Sequence, residues 1–92
     1  MTIEVTKQDI INGVRCNPSM CPVALAVKRV VNKQLKHLSV NYKEVWYQTK
    51  DNVVVSELPV EAIKFIGAYD FRQPVKPFNF TLKVTGEYPI PQ

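Results

Sequence analysis

Several things are scarce in this chain, and each scarcity removes a class of function. No acidic residue falls between Asp9 and Glu44. There is one histidine, His37, and there are two cysteines, Cys16 and Cys21. A structural zinc takes four Cys or His ligands, and these three widely placed residues cannot supply them, so no metal or cofactor is expected. Only three glycines occur, Gly13, Gly67 and Gly86, and none belongs to a glycine-rich phosphate loop. No run approaches the roughly 20 apolar residues that a bilayer span needs, so no membrane partner is expected. The start, Met1 to Val5, lacks a charged segment followed by an apolar one, which predicts a cytoplasmic protein with reduced thiols.

What is present describes one folded domain. Apolar residues make up 46% and charged residues 22% of 92, close to the globular norm, so disorder is not expected. A chain of this length has surface enough for one core and no more. The expected domain is 1–92, with 86–92, a segment holding Gly86, Pro89 and Pro91, as a flexible tail. There are no repeats and no low-complexity tracts.

Patterning along the chain predicts an α+β fold. Thr2 to Val5 alternates and suits a short strand. Thr6-Lys7-Gln8-Asp9 has the form of a capping box with Asp in the usual Glu position, opening a short N-terminal helix that stops at Asn12-Gly13. Asn17-Pro18-Ser19 marks a surface loop. Cys21-Pro22 then begins the strongest element, because proline fits the first helical position and no other breaker follows from Val23 to Leu35. At helical spacing, Val23, Val27, Val30, Val31 and Leu35 share one face, and Lys28, Arg29, Asn32, Lys33 and Lys36 share the other.

The β-branched and aromatic residues from Leu38 to Ser56 predict a hairpin or three-stranded meander, with turns at Lys50-Asp51-Asn52 and within 41–44. Leu58-Pro59 begins a second main helix that stops near Phe71. Phe78, Phe80, Leu82 and Val84 alternate with polar residues as one further strand. The sum is a small antiparallel sheet of about four to five strands, with two main helices and one short N-terminal helix.

Candidate chemistry is sparse. A cysteine at a helix N-terminus has its thiolate favoured by the helix dipole, which draws attention to Cys21. Its only conceivable base, His37, is placed at the far end of the same helix, about 20 Å away at about 1.5 Å per residue. Cys16 and Cys21 are therefore redox thiols at most, and no catalytic residue and no enzyme activity is expected. The eight acidic residues are scattered and form no acid–base pair.

Charge is the better clue. Residues 10–43 carry +6 of a chain whose net charge is +4, leaving −2 elsewhere. Lys28, Arg29, Lys33 and Lys36 form the candidate partner- or anion-binding face. Late in a helix such residues also serve the dipole and solubility. The absence of an interleaved acid favours a contact role, since surfaces kept for solubility mix signs. Tyr42, Trp46 and Tyr47 are possible stacking residues, although strand alternation sends Trp46 and Tyr47 to opposite faces.

Thr6 to Ala26, with Asp9-Ile10, Gly13-Val14, Cys16 and Cys21-Pro22-Val23-Ala24-Leu25-Ala26, resembles a group of small uncharacterised proteins encoded by phages and prophages. Leu58-Pro59, Phe65-Ile66, Asp70 and residues 74–80 extend the resemblance. It implies a setting, the host cytoplasm, in which small domains act stoichiometrically on host components, including as inhibitors of defence systems. The leading expectation is a non-enzymatic protein that binds a host protein or ribonucleoprotein complex. Direct nucleic-acid binding through the basic face, and a sponge for an anionic nucleotide signal held between subunits of a homodimer, remain open beside it.

Overall fold

The computed structural model describes residues 1–31 and 37–91. Within them the fold is α+β, with three helices and six strands in two antiparallel sheets. The sequence predicts one sheet of four to five strands, and the division into two is the main topological difference.

Strand β1 (Thr2–Val5) alternates exposed and buried, and Ile3 and Val5 are wholly buried. Helix α1 (Lys7–Asn12) begins with the expected capping box: the Asp9 N–H donates to Thr6 Oγ1 at 3.1 Å, and the Thr6 N–H donates to Asp9 Oδ2 at 2.9 Å. Gly13 caps its end, and a glycine is needed there because a Cβ would lie 2.7 Å from the Pro22 ring. Helix α2 (Pro22–Val31) buries Val23, Ala24, Ala26 and Val27. Val30, expected on the buried face, is exposed. The expected continuation to Leu35 lies outside the described residues.

Strands β2 (His37–Val40), β3 (Glu44–Gln48) and β4 (Asn52–Glu57) form the expected meander. His37 opens β2, so it belongs to the sheet and not to the helix. Helix α3 (Val60–Asp70) follows Pro59 and buries Ala62, Phe65, Ile66 and Tyr69.

The last extended stretch serves both sheets. Strand β5 (Phe78–Thr81) pairs with β1, and β6 (Lys83–Pro89) pairs with β4. Leu82, 2% exposed, is the corner between them; its N–H donates to the Met1 carbonyl at 2.7 Å. Alternation alone reads this stretch as one strand, because the change of sheet leaves the side-chain period intact through Leu82. Residues 86–89, expected in the tail, are paired instead: Gly86, Glu87, Tyr88 and Pro89 lie opposite Val55, Val54, Val53 and Asn52. Their glycine and proline suggest a loop, but Pro89 falls at the strand's end, where the missing N–H costs little. No helix among the described residues is long and apolar enough to cross a membrane.

Candidate functional site

The basic helix face is partly used inside the fold. Arg29 forks onto Asp9, with both guanidinium nitrogens 2.8 Å from a carboxylate oxygen, and also donates to the Glu4 carbonyl at 2.8 Å. Burial works to raise the Asp9 carboxyl, but hydrogen bonds from Arg29 and Thr6, with the Arg29 charge, hold it below its ordinary value. Lys28 folds back, its Nζ donating to the Ser19 carbonyl at 2.6 Å. Lys33 and Lys36 lie outside the described residues. No acid lies within the helix itself, and the acid that answers Arg29 comes from α1, 20 residues earlier.

Cys16 and Cys21 come together on the wall of one cleft of about 240 Å³. Both are free thiols, Cys16 exposed and Cys21 buried. The α2 N-terminus does not activate Cys21. Its sulfur accepts the Ala24 N–H at 3.4 Å, but burial pushes the thiol up, so at neutral pH it is protonated.

The same cleft holds a pair that the sequence reading missed. Asp70, at the end of α3, accepts the Cys16 N–H at 3.0 Å and the Tyr42 hydroxyl at 2.6 Å. The Asp70 hydrogen bond, followed by desolvation and its charge, pushes the Tyr42 phenol up to about 12. Cys16 sits in the left-handed region at φ 55°, which turns its N–H toward Asp70. Two Asx turns shape the walls, with Asn17 Oδ1 accepting from Ser19 and Met20, and Asn41 Oδ1 accepting from Lys43 and Glu44. Nothing in the local sequence signals a meeting across 54 positions.

A second surface lies on the four-stranded sheet. Register and burial place Leu38, Val40, Val45, Tyr47, Val54 and Ser56 toward the core. The alternate residues, His37, Ser39, Trp46, Gln48, Val53, Val55, Gly86 and Tyr88, form the outer face. Trp46 is 39% and Tyr88 58% exposed, and neither Val53 nor Val55 packs against the core. The Tyr88 ring is folded across Gly86, where an added Cβ would lie 2.7 to 3.0 Å from its Oη, Cε2 and Cζ. Gly86 and Trp46 are two strands apart, about 10 Å at the usual strand spacing. At one end of this face Glu44 pairs directly with Glu57, and Lys83 lies beside Glu57.

Compared with known proteins, the chain matches no family model, no curated protein and no solved structure.

Proposed function

We propose that this chain is a non-enzymatic binding protein that docks a protein partner on the outer face of its four-stranded sheet. The observation that carries the reading is the exposure of Trp46 and Tyr88 on that face, flanking Val53 and Val55. Aromatic anchors within an apolar centre and a polar rim are the anatomy of protein interfaces. The rim is mixed in sign, with Glu44 and Glu57 beside Lys83. A nucleic-acid surface favours a positive rim, and two carboxylates on one face repel phosphate, so a protein partner is preferred to direct nucleic-acid binding. The anionic-nucleotide reading loses ground for a related reason, because Arg29 is already held by a carboxylate. The resemblance to phage-encoded proteins adds the setting: the partner is a host protein, in free form or within a ribonucleoprotein or defence complex.

The test is affinity capture from host lysate with three baits: the unaltered chain, Trp46→Ala with Tyr88→Ala, and Lys28→Glu. A partner retained by the first and third and lost by the second is expected. Equal capture by the aromatic double variant, or a gel shift on single-stranded DNA or RNA that Lys28→Glu abolishes, would overturn the proposal.

A further inference from the structure

We infer that the cleft between the α2 entrance and the α3 end is a binding site for a primary alkylammonium group, its chain lying on the apolar wall and its cation on Asp70. The cleft shares no lining residue with the outer face of the four-stranded sheet.

The cleft is large enough for such a group. An apolar cavity of about 150 Å³ takes a benzene-sized molecule, and this one measures about 240 Å³. Pro18, Cys21, Val40 and Ile66 supply apolar surface, and Cys21 is a neutral thiol in its buried position. The two asparagine carbonyl oxygens on the wall are spent on turns. Among the described lining residues Asp70 is the one carboxylate side chain, and none is lysine or arginine. An anion is therefore disfavoured.

Among the described residues Asp70 also lacks a counter-ion. Among the described residues the ion pair of the fold is Arg29 with Asp9, and Asp70 is held by two uncharged donors, the Cys16 N–H and the Tyr42 hydroxyl. The nearest guanidinium in sequence to Cys16, that of Arg15, is turned onto the Tyr69 ring, 5.6 Å from its centroid. A carboxylate offers about four acceptor positions, so two remain on Asp70. A wholly apolar ligand would strip water from this charge without replacing it, which is unfavourable. A cation on an alkyl chain replaces the water and covers the wall, the division of labour of a lysine side chain lying along an apolar surface. An ammonium suits better than a guanidinium fork, because each carboxylate oxygen already accepts one bond.

The experiment is an amide NMR titration of the intact chain, following the Cys16 amide, with n-butylammonium, n-butanol and butyrate. A saturable shift with n-butylammonium alone is expected, with a Kd in the range of about 1 to 30 mM for so small a ligand. No saturation, or equal shifts with the neutral or anionic analogue, would overturn the site. Asp70→Asn should weaken n-butylammonium at least tenfold. Tyr42→Phe keeps the carboxylate and releases one oxygen, so it should bind at least as well as the unaltered chain; loss of binding would overturn the role given to Asp70. The two sources of the ligand separate on Nα-acetyl-lysine N-methylamide. Tighter binding than n-butylammonium assigns the site to a protein's lysine side chain, and equal or weaker binding assigns it to a free amine.

Discussion

Trp46 and Tyr47 are neighbours in one strand and have opposite fates. Tyr47 is 5% exposed and lies in the core between Leu38 and Val54, whereas Trp46 is 39% exposed on the far side of the same sheet between Ser39 and Val55. The inner face is occupied by the fold, and the outer face is available to something else. A sheet that kept both aromatic residues for stability would cover both, so the contrast separates residues that hold the protein together from those open to a partner.

The largest effect is expected from Tyr47→Ala, which should lower stability by about 3 kcal/mol as a large-to-small core change, measured by chemical denaturation. Trp46→Ala is its control. A similar loss there would break the comparison. Next comes the clamp that joins α1 to α2. Asp9→Ala removes a buried carboxylate that caps one helix and holds Arg29 of the other, and should cost about 2 kcal/mol.

The clamp also predicts a pH dependence. The folded Asp9 carboxyl lies below its ordinary value of 3.8, so folding favours the charged form. Its contribution is whole above that value and is lost as the pH falls below it and through the lower folded value. Denaturation followed from about pH 6 to about pH 2 should show the unaltered chain losing more stability than Asp9→Asn, whose site no longer titrates. Equal losses would place the acid sensitivity elsewhere.

A smaller effect of opposite sign is expected on the inner face. Ser56 is wholly buried, and its hydroxyl has no hydrogen-bond partner among the described residues. Ser56→Ala should therefore be neutral or raise stability by up to about 1 kcal/mol. The smallest change belongs to the outer face, where Trp46→Ala should cost about 1 kcal/mol or less, the size of a cross-strand pair contribution. Gly86→Ala sharpens the same point: its new methyl meets the far end of Tyr88, so the ring must move while the strand stays paired.

Much of the fold could be read locally. The capping box at Thr6 and Asp9, proline at the start of α2, and the β-branched run of the meander are short-range signals, and each element appears where its signal lies. Alternation also assigned Trp46 and Tyr47 to opposite faces. The two-sheet division could not be read, because Leu82 turns the chain without disturbing its period, and β6 was hidden by Gly86 and Pro89. The candidate sites depend on still longer range. Asp9 reaches Arg29 across 20 positions and Asp70 reaches Cys16 across 54, and neither pairing has a counterpart in spacing or composition. With Arg29 on Asp9 and Lys28 on the Ser19 carbonyl, less of the basic face is free than the charges along the helix alone suggest.

The most direct test of the central claim measures partner capture and melting temperature on the same two proteins, the unaltered chain and the variant carrying Trp46→Ala with Tyr88→Ala. If the outer face is the docking surface, the captured partner is lost while the melting temperature changes by only a few degrees. Undiminished capture by the double variant, with its fold intact, would contradict the account.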